Sequence, residues 1–488
     1  MTAIGIVDTT LRDGHQSLWA IKMTTAHMLP AMPDLDTAGF DGMEFTVPQT
    51  TFPRALKELH EDPWDWIRLG TQLARNTDLR LHGGPRSLFV AMPSSLESLL
   101  LRLLGGYGIR TTRVSDYWNN FPRLAPVLQM LSDHGFRSVV NIVYSVSPRH
   151  TVDYYAERTR QAAALRPYRL CFKDVGGLLT PETAAEFMPV IVENAGGIPI
   201  EFHAHSNNGM APYVALMAAE FGIRYIHTAV PPLANGSSQP SVFTVVRNLR
   251  RRGFEVDVDL ERLERVSEHF ALVAEREGLP VGRPAEFDES LYGHQLPGGM
   301  VSNFGYHLGQ VGARHRMQEV LDETVAVRRE LGYPIMITPF AQFVGTQAAL
   351  NVLTGERYRA VSDEVIRYAM GQFGEEATVE MDPVVRETVL SRQRAVELVE
   401  PPPEDVPLET VRAEFGGDFS DEELLVRVLT GMRDGTLDYS ASRDGYPRTY
   451  EEYRACDGSL LDLLKKLDRA RGDGHFSLSL PGLTAAGM

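Results

Sequence analysis

The chain has 488 residues, 43% of them hydrophobic, with a formal net charge of −16 and two cysteines, Cys171 and Cys456. That length and apolar content provide for a large core and more than one domain. The acidic balance argues against a nucleic-acid binder, since the one basic run, RNLRRRGFE near 247–255, reads as the end of a solvated helix. Two cysteines exclude a disulfide framework and point to a reducing compartment. The start, MTAIGIVDTT, has no charged segment followed by a long apolar one, and no apolar span approaches 18 residues. A cytoplasmic protein without membrane insertion is therefore expected.

Short apolar runs rich in β-branched residues recur along the first half of the chain. They are IGIVDTT (4–10), GMEFTV (42–47), LRLHG (79–83), TTRVSD (111–116), SVVNIVYS (138–145), YRLCFKDV (168–175), IPIEFHAHS (198–206) and YIHTAVPPL (225–233). The eight starts lie 27–38 residues apart, and the gaps carry helical patterns. In TPETAAEFMPVIVENAG, Thr180 is placed as N-cap and Pro181 as a first-turn residue. Eight strands alternating with helices over about 250 residues predict an α/β fold of the (β/α)8 TIM-barrel type. The alternative is an open doubly wound sheet, weakened because no G-x-G-x-x-G follows the first strand.

Beyond about residue 255 the strand signal fades. LERLERVSEHFALVAEREG and MQEVLDETVAVRRELG read as amphipathic helices, and QLPGGMVSNFG (295–305) as a glycine-rich loop. ELVEPPPEDVPLE (397–409) reads as a linker, because three consecutive prolines cannot continue a helix. The predicted domains are a barrel over 1–285, a C-terminal helical extension over 286–396 that completes an active-site funnel, and a linker with a mainly helical segment over 397–488.

A barrel places its chemistry at the C-terminal strand ends. Those ends carry Asp8, Arg12, Asp13, His15 and Gln16, then Glu44, Lys173 and Asp174, then His203 and His205, and finally Asn235, Ser237, Ser238 and Gln239. Residues two apart on a strand share a face, so His203 and His205 point together toward the barrel mouth. Two imidazoles and a nearby carboxylate make a divalent-metal set. Read singly, the histidines are equally polar groups at a strand end, Asp8 an N-cap and Lys173 a salt-bridge partner. Their joint placement favours the metal.

Six ordered motifs, VDTTLRDGHQSLWA, CFKDVGGLLTP, HAHSNNGMAP, NGSSQPS, GHQLPGGMVSN and VGTQAALNVLTGERY, resemble the carboxyltransferase components of biotin-dependent enzymes. These are the pyruvate carboxylase carboxyltransferase domain, the oxaloacetate decarboxylase alpha subunit and the transcarboxylase 5S subunit, within the HMG-CoA-lyase-like barrel superfamily. The similarity runs from about residue 5 to about residue 390. It implies a divalent metal (Zn, Mn or Co) held by Asp8, a carbamylated Lys173, His203 and His205. Carbamylation would turn a cationic lysine into an anionic oxygen ligand. The implied activity moves a carboxyl group between carboxybiotin and a 2-oxo acid such as pyruvate or oxaloacetate, by way of an enolate. Ser237 stands where the family has a proton-transferring threonine, and with Arg12 and Lys173 it forms the candidate catalytic group. Gln16 matches a ligand-contacting glutamine, and Gln239 belongs to the same pocket. The resemblance further implies a homodimer whose biotin comes from a separate carrier protein loaded by a biotin carboxylase, since no M-K-M-type lysine hairpin and no ATP-grasp region is seen.

The chain departs from the pattern around the pocket. The family's L-L-R-G-x-N after the third strand is here LRLHGGPRSLF, so its carboxylate-binding arginine falls on Gly83 with Arg86 three residues on. W-G-G-A-T-F-D is replaced by TVPQTTFPR, and T-S-G by Asn207-Asn208-Gly209. Arg86, Asn207 and Asn208 are therefore candidates for an altered acceptor pocket. A biotin-independent decarboxylase, lyase or aldol-type enzyme is the alternative reading. A non-catalytic assembly subunit is disfavoured because a scaffold has no need of the metal set.

Overall fold

The computed structural model describes residues 2–84, 92–399, 406–416, 419–433, 437, 445–455, 476–480 and 483–487. Eight parallel strands close into a barrel: β1 Gly5–Asp8, β2 Gly42–Thr46, β3 Asp78–His82, β4 Thr111–Val114, β5 Arg137–Val143, β6 Arg169–Asp174, β7 Ile200–Ala204 and β8 Tyr225–Thr228. β1 closes the ring on β8, with Asp8 opposite Thr228. Each of the eight apolar runs holds one strand. The helix Pro181–Asn194 starts at the predicted Thr180 cap, whose side chain accepts from the Thr183 amide.

Strand alternation sorts each strand's residues into two environments. Ile6, Met43, Leu81, Phe172 and Phe202 lie in the apolar layer between sheet and helices, and each contributes roughly 1.5–3 kcal/mol of burial. The opposite parity fills the barrel with polar and charged groups, among them Glu44, Arg80, Arg113, Lys173, Glu201, His203 and His227, all buried. All of these except Lys173 are ion-paired or hydrogen-bonded across the barrel, as buried charges must be.

A second cluster of buried side chains, running from Leu296 to Leu398 and joined by Trp118, forms the core of the helical extension. The stretch 295–305, expected as a loop, is helical from Gly298: the helix Gly298–Gln310 follows Pro297. Pro297 precedes its first turn, and Gly345 on a facing helix lets the Phe304 ring approach to 2.5 Å of where a Cβ would stand. The expected linker's three consecutive prolines lie outside the described residues; after them the helices Leu408–Phe415 and Asp421–Thr430 return to the barrel core through Val411, Leu424, Leu425 and Leu429. Trp64 Nε1 donates to the Glu422 carbonyl at 3.0 Å and Lys57 Nζ to the Thr430 carbonyl at 2.7 Å. The mainly helical reading of the C-terminal segment misses an antiparallel hairpin, Phe476–Leu480 with Leu483–Gly487. Its first strand, FSLSL, alternates apolar and polar residues, the sequence period of a strand. Among the described residues no helix is long and apolar enough to cross a membrane.

Candidate metal centre and active site

β1 ends at Asp8 and runs into a single π-helical turn, Thr10–Gly14, a form often found at functional sites. Asp8 shares the outward parity of Ile6, and its carboxylate is taken by Thr10: Oγ1 donates at 2.6 Å and the amide N–H at 3.2 Å. The carboxylate that reaches the histidines is Asp13, carried inward by the turn. Its Oδ2 lies 3.4 Å from His203 Nε2 and its Oδ1 3.6 Å from His205 Nε2. Asp13, His203 and His205 are buried, with ligand atoms within 4.8 Å of one another. The geometry therefore moves the carboxylate of the candidate set from Asp8 to Asp13, a residue that sequence places at the strand end without giving it a role.

Arg12 lies 2.7 Å from Asp13 Oδ2 through Nη2 and donates to Glu44 Oε2 at 2.6 Å through Nε. Arg113 Nε donates to Glu44 Oε1 at 2.7 Å. Burial alone would raise the Glu44 carboxyl, but Arg113 and Arg12 override it and hold it at about 2. For Asp13, burial is likewise outweighed, first by Arg12, and the carboxyl is kept well below the usual carboxylate range. Lys173 faces His203 in register on the neighbouring strand. Burial, with Arg113 and Arg12, pushes its ammonium down to about 7, so a neutral amine is readily available.

His205 Nδ1 lies 2.5 Å from the Ser237 carbonyl oxygen. A carbonyl only accepts, so Nδ1 carries a proton, and the neutral ring, the form that binds a metal, turns its Nε2 lone pair toward Asp13. Two electron-rich atoms then face each other in a buried site, and a cation between them resolves the repulsion. This fits a divalent ion with mixed nitrogen and oxygen ligands. Two other groups, Glu44–His203–His227 and Cys171–Glu201–His227, are also close enough to share an ion. Glu44 is already clamped by two guanidiniums, and burial pushes the Cys171 thiol up to about 12, which disfavours both.

The remaining predicted residues divide. Ser237 is half-buried at the mouth, its Oγ donating to the Ser17 carbonyl at 3.0 Å. Gln16 is half-buried on the turn-like helix His15–Trp19. Asn207 donates to the Gly176 carbonyl at 3.0 Å, and its Oδ1 lies 2.7 Å from where a Cβ on Gly298 would stand. The extension therefore closes directly over this loop. Asn208 is spent on the scaffold: it donates to the Leu179 carbonyl at 2.9 Å and accepts from the Met210 amide at 2.9 Å. Gln239 is fully buried; it accepts from Thr9 Oγ1 at 2.7 Å, and its amide nitrogen lies 3.2 Å from His203 Nε2. It therefore adjoins a candidate ligand and not an open pocket. His15 accepts from the Met23 amide at 2.6 Å and is structural. Arg86 lies outside the described residues. Sequence reasoning misses Arg113, Glu201 and His227, because they sit in mid-strand, away from the strand ends where a barrel's chemistry is expected.

The conserved carboxylase domain family matches residues 291–451, and the HMGL-like family matches residues 124–270. A pyruvate carboxylase subunit of Methanocaldococcus jannaschii is 34% identical over 374 residues, covering 76% of this chain and 66% of the relative. The 2-oxoglutarate carboxylase large subunit of Hydrogenobacter thermophilus is 30% identical over 439 residues, covering 88% of this chain and 67% of the relative. The solved carboxyl transferase domain of Rhizobium etli pyruvate carboxylase, with pyruvate and biocytin, superposes with a TM-score of 0.78 at 22% identity, over 88% of this chain and 76% of that one. That likeness shows the fold. The chain thus spans about two thirds of the length of the Methanocaldococcus jannaschii relative. With an eight-stranded barrel, a helical extension and relatives of this kind, the chain belongs to the carboxyltransferase family of the biotin-dependent carboxylases.

Proposed function

We propose that the protein transfers a carboxyl group between carboxybiotin, presented by a separate carrier protein, and a 2-oxo acid such as pyruvate or oxaloacetate. The observation that carries this reading is the Asp13–His203–His205 cluster at the barrel mouth, beside Lys173, in a chain of this family. Asp13, His203, His205 and a carbamylated Lys173 would hold the divalent metal, Zn, Mn or Co. When bound, such an ion supplies Lewis acidity that favours enolisation next to a carbonyl.

The chain's own residues supply the rest. Neutral Lys173 is the form that adds carbon dioxide, and the carbamate so formed is an anionic ligand. Arg12 fixes Asp13 and Glu44. The Ser237 hydroxyl moves the proton between the substrate methyl and biotin, the role of the family's threonine. Gln16, with no side-chain hydrogen bond to another described residue, offers its amide to a ligand. Asn207 and the extension over 286–396 narrow the entrance. Biotin carrier and biotin carboxylase are the proposed partners, with a homodimer in the cytoplasm as the working form.

The test is oxaloacetate decarboxylation by metal-loaded protein, with and without free biotin. Biotin-stimulated turnover supports the reading. Turnover indifferent to biotin assigns the site to a biotin-independent decarboxylase or lyase and overturns it.

A further inference from the structure

Below the metal ligands the barrel interior holds a chain of polar groups that the proposed chemistry does not use. Glu201 is fully buried on β7. Its Oε1 accepts from Arg80 Nη1 at 2.7 Å and Arg169 Nη1 at 3.1 Å. Both arginines are themselves anchored on Asp41 Oδ2, at 2.7 and 2.6 Å. Glu201 Oε2 is left for His227 Nε2, 2.9 Å away. His227 Nδ1 then lies 3.1 Å from His203 Nδ1, with the two rings nearly perpendicular at 82°. Its other neighbour, Glu44 Oε1, is 3.9 Å away and beyond hydrogen-bond range.

A carboxylate only accepts, so the proton between Glu201 and His227 belongs to His227 Nε2. Neutral His227 then offers the lone pair of Nδ1, which accepts from His203 Nδ1–H. This leaves His203 Nε2 as a lone pair, with the Gln239 amide nitrogen at 3.2 Å and Asp13 Oδ2 at 3.4 Å. Each bond in the series has one donor and one acceptor, and the end product is the tautomer a metal requires. We propose that His227 and Glu201 are positioning residues of the metal centre, a relay rooted in Arg80 and Arg169 that fixes the tautomer and ring orientation of His203. Partners of this kind are the usual support of a metal-bound histidine. Here the support comes through a second imidazole, on the strand next to the ligand's own.

The inference rests on Asp13, His203 and His205 being metal ligands, and its tests separate the two claims. In metal-free wild-type protein labelled with 15N-histidine, with resonances assigned through His203→Gln, His203 should carry its proton on Nδ1. A proton on Nε2 overturns the relay. Zinc affinity is then measured by chelator competition. His227→Leu, which removes the acceptor, should weaken zinc binding about 10–100-fold and change the visible spectrum of the cobalt-loaded protein. His227→Gln, whose amide can accept from one side and donate to the other, should restore most of both. An unchanged affinity and spectrum in folded His227→Leu overturns the relay while leaving the metal site in place. A wild type that takes up no zinc sinks the metal reading itself.

Discussion

Exchanging the two aspartates of the first motif is the sharpest perturbation. Asp13 lies 3.4 and 3.6 Å from the two histidines, whereas Asp8 faces away and serves Thr10. Asp13→Asn keeps the volume and removes the anionic oxygen. Losing a residue that only orients a ligand costs about 10–100-fold in metal affinity. Losing the ligand should therefore cost at least about 100-fold, or about 2.8 kcal/mol of binding. Asp8→Asn retains an oxygen that can accept from Thr10, so metal affinity should stay at the wild-type level. Asp8→Ala leaves the Thr10 hydroxyl and amide without their acceptor and should cost about 1–3 kcal/mol of stability, again with the metal retained. The assays are metal content after gel filtration, zinc titration against a chelator, and thermal unfolding. Full metal in Asp13→Asn together with metal loss in folded Asp8→Asn would refute the reasoning.

Three further outcomes follow from the same geometry. Ser237→Ala should lower carboxyl transfer about 10²–10⁴-fold with metal content unchanged, because His205 is held by the Ser237 carbonyl and not its hydroxyl; loss of metal would contradict this. Glu44→Gln removes the charge between the buried Arg12 and Arg113 and should destabilise the fold by about 3–5 kcal/mol, read as a fall in unfolding midpoint. Lys173 has its pKa lowered to about 7 by burial and two arginines, so its neutral, carbon-dioxide-accepting form grows as pH rises through 7. Bicarbonate should therefore raise metal loading above about pH 7 and lose its effect below, and Lys173→Met should abolish the response; a bicarbonate effect independent of pH would count against a carbamate.

Much of this is legible in the sequence, for identifiable reasons. A fully buried parallel strand needs a short β-branched run, and a barrel needs eight of them, so strand positions can be read directly. His203 and His205 follow from the two-residue period. The same period holds the cue for the metal carboxylate: Asp8 shares its parity with Ile6, which packs outward. The parity rule ends with the strand, however, and Asp13 is carried by a π-helical turn that periodicity does not describe. Gln239 and Asn208 look like pocket residues in the motif, but Gln239 is buried against the Thr9 and His203 side chains and Asn208 is held by backbone groups. The helix Gly298–Gln310 is hidden by its four glycines, of which Gly298 packs closely on Asn207. His227 stays invisible because its partner, Glu201, stands on another strand, 26 residues away in sequence.

The central claim is a metal ion among Asp13, His203, His205 and Lys173. Anomalous diffraction at the absorption edge of the bound metal, from crystals grown with bicarbonate, tests it most directly. The account predicts one peak bounded by those four side chains, with added density on Lys173 Nζ. No peak, or a peak between Glu44, His203 and His227, would contradict it.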